Sequence, residues 1–152
     1  MMPRRTFLGR TLLGAARLAL FPSANAPARP SSLWIADRES SVAFTVQLLA
    51  QHCGFADARV FACKQHAIKS LRTVAAKPTL LVTDYWSGNI QGDEFIRLAR
   101  HASPGTKLIV FSAVVGSLER WIAVAGASAL RPDAIAEKPN ARKLMTTLCQ
   151  PP

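Results

Sequence analysis

At 152 residues and 49% apolar content, the chain can bury one hydrophobic core and is too short for two. Cys53, Cys63 and Cys149 are odd in number and lack CxxC or Cys/His spacing, which argues against a disulfide framework or a zinc site and predicts free thiols in a reducing compartment. The net charge of +10 is uneven, because five arginines and no acid fall in the first thirty residues. The rest carries a scattered basic surface without the aromatic-and-basic clusters that stack nucleic-acid bases.

Residues 1–30 differ in composition from the remainder of the chain and form a basic tail outside the fold. Three readings are open: a disordered or never-translated extension, an export signal, or a weakly amphipathic membrane-surface helix. Arg4-Arg5-Thr6-Phe7-Leu8 with Ala24-Asn25-Ala26 beyond has the look of a twin-arginine signal, while Arg10 and Arg17 interrupt its apolar stretch. No run approaches the ~18 apolar residues of a spanning helix.

From Ser31 the chain alternates strand-like and helix-like segments, and residues 31–150 make one domain. Leu33–Ala36 is an apolar run fit for a buried strand. Ser40–His52 carries Val42, Phe44, Val46, Leu48 and Leu49 and reads as a helix stopped near Gly54. Ala58–Cys63 is a second strand, and His66–Ala76 a helix closed by Pro78. Thr79–Thr83 is a third strand buried on both faces, followed by a helix over Asp93–His101 that Gly92 precedes. Lys107–Phe111 is the fourth strand, Ser117–Ala125 a helix with Gly126 as its stop, Ala134–Glu137 the fifth strand, and Ala141–Leu148 the last helix. This alternation implies right-handed crossovers and a doubly wound parallel α/β sheet covered on both faces.

The polar residues that end the apolar runs are the candidate site. Asp37 and Glu39 follow the first strand, Asp84 the third, Ser112 the fourth and Lys138-Pro139 the fifth. In an open parallel sheet these ends share the edge where ligands bind. His52, His66 and His101 lack ligand spacing, and Trp34 and Trp121 read as packing residues.

In that order and spacing, these residues resemble a response-regulator receiver domain from Ser31 to Leu148. The resemblance adds Gly92 eight residues after Asp84, Ser112-Ala113, Ala125-Gly126-Ala127 and Lys138-Pro139. It implies the flavodoxin-like strand order 2-1-3-4-5. It also implies that Asp84 is a phosphoacceptor, charged from a histidine kinase or a phosphotransfer protein, with Ser112 and Lys138 binding the phosphoryl group. Mg2+ would be held by Asp37, Asp84, the Trp86 backbone carbonyl and Glu39 as a substitute ligand. A domain of this kind is a self-phosphorylating acceptor rather than an enzyme. It acts in the cytoplasm and signals to a downstream protein target by contact, without DNA binding, through the surface of the fourth helix, fifth strand and last helix.

The sequence departs from the pattern at one telling place. Receivers usually carry two adjacent acids after the first strand, and here the pair is Asp37-Arg38. If Arg38 turns into the acidic edge it neutralises Asp37 and Asp84 and displaces the metal; if it turns outward, Asp37 and Glu39 can hold Mg2+. The first outcome favours an alternative function, a degenerate receiver that binds a partner without phosphorylation. A phosphatase with an aspartate nucleophile would want a second Asp where Trp86 stands.

Overall fold

The computed structural model describes residues 32–150 apart from 87, 117–118, 120–122 and 124–130. The proposed tail and most of the helix expected over Ser117–Ala125, with Gly126 and Trp121, therefore lie outside the described residues. Within them the order is β1 (Ser32–Ala36), α1 (Ser40–His52), β2 (Asp57–Phe61), α2 (Lys64–Thr73), β3 (Leu80–Thr83), α3 (Gly92–Ala102), β4 (Lys107–Ser112), β5 (Ala134–Glu137) and α4 (Ala141–Cys149). The five strands form one sheet in the order β2-β1-β3-β4-β5. All four pairings are parallel, as the strand–helix alternation requires.

Strand periodicity divides the core between two faces. Trp34, Ala36, Leu81, Leu108 and Val110 pack with Ala67, Ile68 and Leu71 of α2 and Phe95, Ile96 and Ala99 of α3. Leu33, Ile35, Leu80, Val82, Ile109 and Phe111 pack on the other face with Ala43, Val46 and Ala50 of α1 and Leu144 and Leu148 of α4. A fully buried Leu, Ile or Phe contributes about 1.5–3 kcal/mol, so each face holds its helices by several such side chains. Trp34 is a packing residue as expected, with its ring 4.9 Å from that of Phe61.

Several boundaries differ from the sequence reading, each for a local reason. Strand β2 stops at Phe61 and α2 begins at Lys64, because Cys63 takes an extended conformation (φ −137, ψ 126) and serves as N-cap. The end of α2 comes at Thr73 rather than Ala76, where the Lys77 ammonium donates to the carbonyls of Leu71 and Val74 and closes the last turn. The stripe expected to bury α1 is narrower than its apolar residues: Val46 is buried, while Phe44 and Leu48 are 60% and 50% exposed.

The largest correction concerns the thiols. Cys53, just beyond α1, and Cys149, the last residue of α4, form a disulfide across 96 positions, and only Cys63 is free. Spacing along the chain could not reveal it, since the pair meets only when α1 and α4 pack side by side on one face of the sheet.

Candidate functional site

The ends of the ladder set the backbone of the site. The Asp37 N–H donates to the Phe61 carbonyl at 3.2 Å, that of Asp84 to the Ala36 carbonyl at 3.4 Å, and that of Lys138 to the Ser112 carbonyl at 3.0 Å. Each residue thus stands one bond past its strand, on the carboxyl edge. The Thr83 hydroxyl adds a 3.1 Å bond to the Ala36 carbonyl and ties β3 to β1 directly beneath Asp84.

The structure brings together Asp37, Asp84, Ser112 and Lys138. Asp37 and Asp84 are 5% and 9% exposed. The Lys138 ammonium reaches both, at 2.9 Å from Asp37 Oδ2 and 3.7 Å from Asp84 Oδ1. Lys138 is joined to Pro139 by a cis peptide bond. The Ser112 hydroxyl is buried and has no hydrogen-bond partner among the described residues. Asp84, Ser112 and Lys138 line a cleft of about 220 Å³ with Arg38, Glu39, Trp86 and Val114. An electrophile entering it meets a carboxylate, an ammonium and an unused hydroxyl.

Glu39 and Arg38 are not drawn into the acidic centre. Both are exposed, and among the described residues Arg38 makes no ion pair with Asp37 or Asp84. With Arg38 exposed, the Asp37 oxygens meet other groups: Oδ2 the Lys138 ammonium, and Oδ1 the Glu39 backbone N–H, each at 2.9 Å. No group of three or more His, Cys, Asp or Glu side chains among the described residues is arranged to hold a metal ion. A Mg2+ held by Asp37, Asp84 and the Trp86 carbonyl would have to displace the Lys138 ammonium from Asp37 and Asp84.

Sequence reasoning missed Lys64. It is the first residue of α2, is 2% exposed, and aims its ammonium under the loop that follows Asp84. There it donates to the carbonyls of Tyr85 at 2.9 Å and Ile90 at 3.4 Å and lies 5.6 Å from the Phe95 ring. Burial pushes this ammonium down to about 8, opposed by the fields of Asp84, Asp37 and Asp93, so it stays charged at neutral pH. Nothing in Lys64-Gln65-His66-Ala67 distinguishes it from a solvated lysine opening a helix. Gly92, noted only as part of a pattern, also acquires a cause: a Cβ there would lie 2.0 Å from the Tyr85 ring, so any side chain would push Tyr85 off the loop.

No protein-family model matches the sequence, and no curated protein matches it. Solved structures do match. A sensor protein from Polaromonas sp. JS666 is 19% identical with a TM-score of 0.66, over 79% of this chain and 94% of that one. The chemotaxis response regulator CheY4 of Vibrio cholerae is 17% identical with a TM-score of 0.65, over 79% and 97%. A CheY-like response regulator receiver domain protein from Methanospirillum hungatei JF-1 is 18% identical with a TM-score of 0.63, over 79% and 91%. The chain has the fold of the response-regulator receiver domains, with their flavodoxin-like 2-1-3-4-5 sheet.

Proposed function

We propose that this domain is a receiver that accepts a phosphoryl group on Asp84 from a phosphohistidine of a histidine kinase or phosphotransfer protein. The observation that carries the reading is the buried, unpartnered Ser112 hydroxyl on the same cleft as Asp84 and Lys138. A buried hydroxyl without a partner costs about 1–3 kcal/mol, and a phosphoryl oxygen is the acceptor that would relieve it.

In the transfer, an Asp84 carboxylate oxygen attacks phosphorus as the phosphorus–nitrogen bond of the donor breaks. The imidazole nitrogen keeps the electron pair and takes up a proton. Lys138, already between Asp37 and Asp84, shifts toward the phosphoryl oxygens, and Ser112 donates its hydrogen bond to one of them. Pulling Ser112 inward moves the segment beyond β4, which is the means of signalling to a downstream target by protein contact. Phe44 and Leu48 on α1 are exposed large apolar side chains, as are Trp86 and Val114 on the cleft, and they suit a docked partner. The domain is an acceptor, not a turnover enzyme.

A second reading has its own observation. With Lys138 bonded to Asp37 and a basic residue at position 38, the pocket also suits a receiver kept as a phosphorylation-independent binding module. Incubation with acetyl phosphate decides between them. The phosphoacceptor reading expects a hydroxylamine-labile adduct on the wild type that is lost in Asp84→Asn, and absence of an adduct on the wild type gives the site to the binding module. Labelling that survives Asp84→Asn would refute the assignment of this residue.

The reading places the protein in the cytoplasm, where such donors are found, whereas the Cys53–Cys149 bond is of the kind that persists in oxidising compartments and favours the export alternative. Alkylation of the native protein before and after reduction checks this: one reactive thiol before reduction and three after would place it outside the reducing cytoplasm.

A further inference from the structure

The carboxyl edge contains a second cation whose position the phosphoacceptor reading leaves unused. Lys64 is almost fully buried, yet among the described residues no carboxylate is within hydrogen-bond contact of its ammonium; its direct partners are the backbone carbonyls of Tyr85 and Ile90. A buried ammonium needs compensating negative charge nearby. Asp84, Asp37 and Asp93 supply it, and none of these belongs to α2. Two of those carboxylates, Asp37 and Asp84, are also the partners of Lys138. The two strand-end acids are thus balanced by two lysines, of which Lys64 is held in place by the loop carbonyls, with Arg38 as a third cation on the cleft wall.

We propose that Lys64 and Lys138 together stand in for a divalent cation at this edge, so that Asp84 takes its phosphoryl group without magnesium. The inference rests on the phosphoacceptor reading above and specifies its electrostatics. A dication placed beside Asp37 and Asp84 would meet an ammonium that cannot retreat into water, because Lys64 is held on two carbonyls beside the Phe95 ring. An incoming phosphoryl group, by contrast, brings negative charge to a site where Lys138, Arg38 and the Ser112 hydroxyl are available to it. Lys64 does not line the cleft. It is a positioning residue, which clasps both ends of the Tyr85–Ile90 loop and supplies its charge from below.

The test uses the full chain with acetyl phosphate as donor; attack by Asp84 breaks the phosphorus–oxygen bond and acetate leaves with the electron pair. Adduct formation is followed in millimolar magnesium and in excess EDTA, for the wild type, Asp84→Asn, Lys64→Met and Arg38→Asp. The expected result is wild-type labelling at rates equal within about twofold in the two conditions, and dependent on Asp84. Lys64→Met, which keeps the bulk and removes the charge, should then label faster with magnesium than with EDTA; a purely structural lysine would change both rates alike. If Lys64→Met does not fold, Arg38→Asp replaces it, since restoring an acid should likewise create magnesium dependence. Wild-type labelling that requires magnesium overturns the inference and leaves the phosphoacceptor reading intact. If no wild-type adduct forms in either condition, that reading fails and the inference fails with it.

Discussion

The two edges of the sheet handle their polar groups in opposite ways. At the amino edge the polar side chains, buried in Ser103 and Thr106 and exposed in Asp133, are closed onto partners. The Ser103 and Thr106 hydroxyls lie 2.7 Å apart, and Thr106 donates to the Pro78 carbonyl. Asp133 accepts from Arg100 at 2.8 Å and from the Leu108 N–H at 2.6 Å, and its own N–H returns to the Leu108 carbonyl. The disulfide joins the C-terminal ends of α1 and α4 at the same edge, since crossover helices run antiparallel to their strands. At the carboxyl edge Lys138 is shared between two acids, and Lys64 donates to the carbonyls of Tyr85 and Ile90. Ser112 Oγ and Asp93 Oδ1 are the two buried side-chain atoms without a partner among the described residues. A satisfied edge contributes stability; an under-satisfied one retains the capacity to bind a charged group.

Breaking the amino edge should therefore cost stability and spare the chemistry. The largest expected effect is that of the disulfide, which closes a loop spanning 96 positions. Reduction, or Cys53→Ser, should lower the unfolding free energy by about 2–4 kcal/mol in urea titrations. The rate of Asp84 labelling by the native fraction should not change.

Lys64 should reveal the opposite character of the carboxyl edge through pH. Its ammonium titrates near 8 in the folded domain and 10.5 otherwise, so across that window the unfolded chain holds the proton that the folded domain has released. Unfolding free energy should then rise with pH between these values, by up to about 3 kcal/mol, because stability increases wherever the unfolded state binds more protons. Burial raises the Tyr85 phenol above its usual 10, which keeps that group neutral over most of the range. Denaturant unfolding of the wild type and Lys64→Met at closely spaced pH values checks this: the rise should be absent in the variant.

Two smaller substitutions sharpen the contrast. Asp133→Ala leaves the Leu108 N–H without its side-chain acceptor and Arg100 without its ion pair, and should cost about 1–3 kcal/mol with labelling unchanged. Ser112→Ala should not lower stability and should raise it by about 1–3 kcal/mol, since it deletes a buried hydroxyl that has no partner. Its cost should fall on adduct formation and lifetime instead. A large loss of stability in Ser112→Ala, or lost labelling in Asp133→Ala, would remove the distinction between the edges.

Much of the fold was legible in the sequence because buried parallel strands are short apolar runs whose ends are marked by polar residues. That local signal placed Asp37, Asp84, Ser112 and Lys138 at strand ends, and the strand–helix alternation placed those ends on one edge. Partners distant along the chain carry no such mark. The pairing of Lys138 with Asp37 spans 101 positions, and that of Cys53 with Cys149 spans 96. Lys64 has the local look of a surface lysine, and only the packing of α2 against α3 and the loop after β3 buries its charge. Local pattern determined which residues end strands; tertiary packing decided which charges face one another, because electrostatic partners are chosen by distance in space and by exclusion of water.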